Sequence, residues 1–158
     1  MEVEIRPATA QDAIDLAQGL RPADIAELHA CGHSDLDEVV ARSVRVSSMC
    51  WAAFVDGQIA CIIGVAPLSL LGGLGAPWML GTPVLDKASR VLVRRTPEYI
   101  SKMLGAFPHL LNYVHADNVT SVRWLKRLGF VFGEPFAHPR SGETFYPFEM
   151  RACICVNR

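Results

Sequence analysis

Excess charge is missing from this sequence: 15 Lys and Arg stand against 16 Asp and Glu, a formal net charge of −1. Without an overall basic footprint, no nucleic-acid partner is expected. A zinc pattern is missing as well. The five cysteines, Cys31, Cys50, Cys61, Cys153 and Cys155, form an odd set whose spacings match no metal motif, so no metal site is expected. Cys153 and Cys155 stand two apart in a strand-like segment and would share a face; the cysteines read as buried thiols in a reducing compartment. The opening Met-Glu-Val-Glu-Ile-Arg-Pro has no charged and then apolar leader, so no secretory signal is expected. Nor is there a long apolar helix. The least polar run, Cys61 to Leu85, is rich in Gly and Pro and uncapped, which suggests buried strands and turns and no membrane segment. Repeats, low-complexity tracts and linkers are absent too. The 158 residues, 51% of them apolar, suit one domain over 1–158 with an ample core. A domain of that size buries about 70% of its unfolded surface.

What is present is clear periodicity. A short strand at Val3 to Ile5 ends at Pro7. Thr9 then caps a helix with the stripe Ala13, Ile14, Leu16 and Ala17, which stops at Gly19. Pro22 starts a second short helix through Leu28. Ser34 caps a third, with Leu36, Val39, Val40 and Ser43 at helical spacing. Two apolar strands follow, joined by Asp56-Gly57, the residues a two-residue type I′ hairpin requires. The second strand runs towards Leu68. The link Leu71-Gly-Gly-Leu-Gly-Ala then leads into Pro77-Trp-Met-Leu-Gly-Thr-Pro83. Because that glycine-rich link precedes a strand and not a helix, it is a hairpin connection and not a phosphate loop.

A long helical register follows, with Leu92, Thr96, Tyr99 and Met103 on one stripe and Val93, Pro97, Ile100 and Leu104 beside it. It reads as one helix from a Ser89 cap to Leu104, bent at Pro97. The competing reading makes Thr96 an N-cap and Pro97 the first helical residue, after a separate short helix. A strand from Leu110 to His115 precedes a helix capped by Asn118, with Val122, Leu125 and Leu128 inward and Arg123, Lys126 and Arg127 outward. The segments Phe130 to Phe136 and Phe145 to Val156 read as a closing hairpin around Pro139-Arg-Ser-Gly142. The order β-α-α-β-β-β-α-β-α-β-β, with the early helices grouped, gives an α/β (α+β) class: a mixed, mostly antiparallel sheet with helices on both faces.

The run Asn118-x-x-Ser121-x-x-x-Leu125-x-x-x-Gly129-Phe130, within that element order, resembles the closing half of the GNAT acetyltransferase superfamily. The resemblance implies a cleft for acetyl-CoA between the strand ending at Leu80-Gly81-Thr82 and the strand ending near His115. Leu80, Gly81 and Thr82 would then offer backbone groups to the pantetheine arm, Ser89 and Arg90 would meet phosphate, and Asn118 would line the cleft. Two departures stand out. The family usually has Tyr where Leu125 stands, and that Tyr protonates the departing thiolate. It also usually carries a [QR]-x-x-G-x-[GA] turn, whose N–H groups hold the pyrophosphate. Here the turn is Thr82-Pro-Val-Leu-Asp-Lys-Ala-Ser-Arg-Val, without glycine. Tyr113 and His115, on one face of the neighbouring strand, are the residues available for proton transfer; the alternative is that both simply pack.

The segment Asn112-Tyr-Val-x-x-x-Asn118-x-x-Ser121-x-Arg123-x-Leu125-Lys126-x-x-Gly129 is also similar to small GNAT-like proteins of tailed bacteriophages, some of them known as internal virion protein A. So are Phe54-Val-Asp-Gly, Gly64-Val-Ala-Pro-x-Ser and Pro77-Trp-Met-Leu-Gly-Thr. That family likewise has Leu in place of the Tyr. The resemblance implies an internal virion or assembly-related protein with a degenerate acetyl-CoA site, phage virion proteins as partners, and a place in the host cytoplasm or the virion. The other reading is a divergent N-acetyltransferase that moves an acetyl group from acetyl-CoA to an amine.

Overall fold

A computed structural model describes residues 1–153. Its elements, in chain order, are β1 (Val3–Pro7), α1 (Ala10–Ala17), α2 (Pro22–Ala30), α3 (Leu36–Val46), β2 (Met49–Val55), β3 (Gln58–Ser69) and β4 (Leu74–Gly81). Then come α4 (Leu85–Ala106), β5 (His109–His115), α5 (Val119–Arg127), β6 (Val131–Phe132), β7 (Phe136–Ala137) and β8 (Thr144–Arg151). They build one sheet in the order β1-β2-β3-β4-β5-β8-β6, with β7 also on β8, antiparallel throughout except for β4 and β5. The expected class, a mixed and mostly antiparallel sheet with helices on both faces, is the one observed.

Local chemistry explains most boundaries. Thr9 and Asp12 form a reciprocal capping box at α1. Asp56 and Gly57 both take positive φ, 48° and 78°, as the tight β2–β3 hairpin demands. Gly129, at φ 96°, stops α5 in the left-handed region.

Three boundaries differ from the sequence reading. The α3 cap is Asp35, whose carboxylate accepts from the Glu38 N–H at 3.1 Å, and not Ser34. The α4 helix begins four residues before Ser89 and runs unbroken through Pro97, which settles the question in favour of one helix. The Thr96 hydroxyl, read alternatively as an N-cap, instead donates to the Leu92 carbonyl within that helix at 2.6 Å. Finally, the closing hairpin is built from two short strands, β6 and β7, both laid against β8. Strand β8 ends at Arg151, and the residues beyond 153 assigned to it, Cys155 among them, lie outside the described ones. The cysteines are not uniformly buried. Cys61 is enclosed and its thiol is pushed up to about 12 by burial, whereas Cys153 is exposed.

Helices α1 to α3 cover one face around Leu16, Val40 and Ile62. On the other face, α4 and α5 close over Val65, Met103, Leu110 and Phe148. A second cluster there joins the start of α4, through Leu85, Ala88 and Leu92, to Ala53 and Cys61.

Candidate functional site

The one parallel contact positions the site. Strands β4 and β5 pair only at Leu74 with His109 and Gly75 with Leu110, and beyond that their C-terminal halves separate. Thr82 donates its N–H to the Ala60 carbonyl at 2.8 Å. By strand alternation Leu80 therefore also bonds towards β3, while Pro77, Met79 and Gly81 turn their backbone groups into the gap. On the far side, Ala152 and Ala116 bond to Pro108 and Thr144, so by the same alternation the backbone groups of Tyr113 and His115 turn into the gap from β5.

Side chains stitch this gap where the ladder stops. The Asn112 amide donates to the Pro77 carbonyl and accepts from the Tyr113 N–H, each at 2.8 Å, and so stands in for a missing rung. Higher up, α2 crosses the opening. Asp24 accepts from the Gly81 N–H at 2.9 Å, and the Gly81 carbonyl accepts from the Arg21 N–H at 2.9 Å. The Arg21 guanidinium grips Asp24 through two bonds of 2.9 Å, with both side chains buried. From α5, the Asn118 amide donates to Glu27 at 2.9 Å and lies 3.4 Å from Asp24, while its oxygen caps the Ser121 N–H. Asn118 is thus the helix cap that the motif indicates, and it is buried against α2.

Behind the stitch lies a cavity of about 260 Å³, lined by Met79, Ile100, Met103, Trp124 and Leu125 on the α4–α5 face and by Glu27, Cys31 and Tyr113 on the other. Leu125 contributes only apolar surface. The Trp124 indole N–H is the one buried side-chain polar atom among the described residues without a hydrogen-bond partner, and its ring packs towards the start of α4.

Glu27 is the chemically notable wall of this cavity. Burial pushes its carboxyl up to about 7, with the nearby charge of Asp24 adding to the effect and the Asn118 hydrogen bond opposing it. Such a group stabilises the fold while protonated, below its ordinary value near 4.5, and that stability is lost as pH rises towards 7. Glu27→Gln is therefore expected to leave stability unchanged near pH 4 and to raise it at pH 8 by up to about 3 kcal/mol. Thermal melts of both proteins at the two pH values check this.

The other residues singled out from sequence are placed as follows. Tyr113 stacks edge-on against Phe136 and Phe145, with centroids at 5.6 and 5.4 Å, and burial raises its phenol above the usual value. His115 is buried, packs on Phe145 and meets Glu143 at 3.0 Å. Both therefore sit on the α2 side of the gap. Thr82 spends its N–H on Ala60 and its hydroxyl on the Ile59 carbonyl. Ser89 and Arg90 are exposed on α4, beyond its first turn.

That first turn satisfies itself. Val84 donates to the Thr82 hydroxyl at 3.3 Å, Leu85 to the Thr82 carbonyl at 3.0 Å, Asp86 to Pro83 at 3.2 Å and Lys87 to Val84 at 3.1 Å. The orphan donors that normally make a helix start an anion site are consumed here. Asp86 adds a negative charge in the same turn.

Arg21, Asp24, Glu27 and Asn112 were not foreseen. The available signal was a pair of acids, Asp24 and Glu27, at i and i+3 just after Arg21-Pro22-Ala23, on a short helix that otherwise carries Ile25 and Leu28 inward. Nothing local distinguishes those acids from a solvated helix face.

Comparison with solved structures decides the fold. An acetyltransferase of the GNAT family from Streptococcus pneumoniae superposes with a TM-score of 0.64 over 96% of this chain and 100% of that one, at 16% identity. The chain has the GNAT fold. A ribosomal L7/L12 α-N-protein acetyltransferase, solved with coenzyme A, gives a TM-score of 0.67 at 10% identity over 95% of this chain and 94% of that one. A ribosomal-protein-S5-alanine acetyltransferase from Vibrio fischeri gives 0.65 at 14% identity over 96% and 93%. By sequence, residues 63–137 match the family described as Bacteriophage T7, probable scaffold protein Gp13. The probable scaffold protein gp13 of Escherichia phage T7 is 27% identical over 126 residues, which cover 75% of this chain and 87% of that protein. The chain thus combines the GNAT fold, shared with acetyltransferases, with sequence likeness to a probable phage scaffold protein.

Proposed function

We propose that this chain is a phage internal virion or assembly-related protein, one domain over 1–158, in which the GNAT cleft has become a structural element and no longer an efficient acetyl-CoA site. The observation that carries this reading is the self-satisfied first turn of α4. Its donors are bound within the turn, Pro83 supplies none, and Asp86 opposes an incoming phosphate. The stitch works in the same direction. The groups that Gly81 and Thr82 would present to a pantetheine arm are already bonded to Asp24, Arg21 and Ala60, and Leu125 has no proton to give. Likeness to the T7 scaffold protein supports the assembly role, with other phage virion proteins as partners and the host cytoplasm or virion as the location.

Acetyl-CoA at a hundred times the dissociation constant of a working site stabilises its protein by about 2.7 kcal/mol, a shift of several degrees at this size. No shift is expected here with acetyl-CoA or CoA up to millimolar concentration. A saturable shift would refute the closed cleft. The assembly role is tested separately, by mass spectrometry of purified virions and by deleting the gene; intact particles that contain none of the protein would end it.

One observation favours the second reading, a divergent N-acetyltransferase. The cavity remains, and Glu27, with its carboxyl near 7, faces it. Attack by a bound amine on a thioester depends more on positioning than on a strong acid. In that case acetyl-CoA would meet Leu80, Gly81, Thr82, Ser89, Arg90 and Asn118, with Tyr113 or His115 handling the proton. Acetyl-CoA-dependent acetylation of an amine panel, lost in Glu27→Gln, would favour it.

A further inference from the structure

The cavity wall formed by α2 holds an imbalance of charge. Asp24 and Glu27 sit at i and i+3 on its inner side, and the guanidinium of Arg21 is bound to Asp24 through two hydrogen bonds and to the Ser121 hydroxyl at 3.4 Å. Asn118 divides its amide between the two carboxylates but is neutral. Of the groups facing Glu27, only His115 can offset a negative charge, besides the Asn118 amide that hydrogen-bonds it. From its own helix come Asp24 and, at the helix end, Cys31; from β5 come Tyr113 and His115; from α5 comes Asn118. His115 is already held by Glu143 at 3.0 Å. Without its proton, Glu27 is a half-buried anion beside another anion, offset only by the Asn118 amide and the His115 backbone, and shutting such a charge away from water is costly.

The same helix is what closes the gap. Through Arg21, Asp24 and Glu27 it ties the end of β4 to the start of α5, and it packs on β5. Glu27 and Leu28 of this helix form part of the cavity lining. A force that lifts α2 therefore opens the cavity, and hydration of Glu27 is such a force.

We propose that α2 is a proton-operated cover of the cavity, shut while Glu27 holds its proton and released when that proton leaves. The inference rests on the reading of the cleft as closed by α2, and it adds the condition under which the closure fails. Lifting α2 returns Glu27 to water and to its ordinary value near 4.5, from about 7 when covered. Linkage between those two values makes the opening equilibrium about tenfold larger at pH 8 than at pH 6.

Hydrogen–deuterium exchange of the peptide spanning 22–30, corrected for the intrinsic pH dependence of exchange, reads this directly in the intact chain without any ligand. About a tenfold rise from pH 6 to pH 8 is expected in the native protein, with the α3 peptide 36–46 unchanged. Glu27→Gln, isosteric and neutral, is expected to keep α2 protected at both pH values. His115→Gln should retain the rise. A flat native profile, a rise that survives in Glu27→Gln, or its loss in His115→Gln with Glu27 in place would each overturn the proposal. Acetyl-CoA binding does not enter this measurement, so the closed-cleft reading and the proton-operated cover fail independently.

Discussion

Asp24→Ala is expected to destabilise the protein by about 3–5 kcal/mol, the range for breaking one partner out of a buried ion pair. Three groups lose their partner at once: the Arg21 guanidinium, buried with only Asp24 as its counter-ion, the Gly81 N–H and one contact of Asn118. For a chain of this length that corresponds to a melting temperature lower by about 10 °C. Asp24→Asn keeps an acceptor for Gly81 and leaves Arg21 without a counter-charge, so it should fall between the alanine variant and the native protein. Calorimetry of the three proteins gives the ranking. A loss below about 1 kcal/mol for the alanine variant would mean that water replaces the carboxylate, as at an exposed pair, and that the gap between β4 and β5 is not sealed by α2.

The second large effect is expected at Phe145. It is fully buried, and it is the ring against which Tyr113, His115, His138 and Phe136 all pack, with centroids between 5.1 and 6.2 Å. Phe145→Ala removes the centre of that cluster and is expected to cost about 3–5 kcal/mol, as large-to-small substitutions at enclosed aromatics do. The urea midpoint should drop by on the order of 2 M. Phe145→Leu retains most of the volume and should cost less than about 2 kcal/mol. If Tyr113 and His115 are packed strand residues, the two variants will track the lost volume. A nearly silent alanine variant would show that the cluster rearranges, and that Tyr113 and His115 hold their places by other means.

Much of the fold was legible because its signals are local. Asp56-Gly57 forces the hairpin by needing two positive φ angles, and Asn118 caps a helix with its own side chain. The unbroken apolar register of α4 outweighed Pro97, because tertiary burial of Leu92, Thr96, Tyr99 and Met103 sustains a helix through one lost hydrogen bond. The start of that helix was misplaced. Ser89 is a good capping residue, but the helix starts after Val84 without a side-chain cap, its first turn held by backbone bonds to Thr82, Pro83 and Val84. Ser34 lost to Asp35 because one residue's shift in the loop decides which oxygen meets the Glu38 N–H.

The candidate site was only half legible. Leu125 and the glycine-free turn could be read along the chain, since each is a property of residues at fixed spacing. The stitch could not. Asp24 and Asn118 are 94 residues apart and Asn112 and Pro77 are 35 apart, and whether such groups meet depends on how the sheet opens.

By itself the sequence determined most of the order of elements, the β2–β3 hairpin, the Thr9 and Asn118 caps and the apolar Leu125, because period, turn chemistry and residue identity act over a few neighbouring residues. Only the tertiary structure decided that two acids on a short helix would line the gap, that one of them would pair with Arg21, and that burial would raise the carboxyl of the other. Those outcomes follow from burial and from the distances between charges, and both arise only once α2 lies across the gap between β4 and β5.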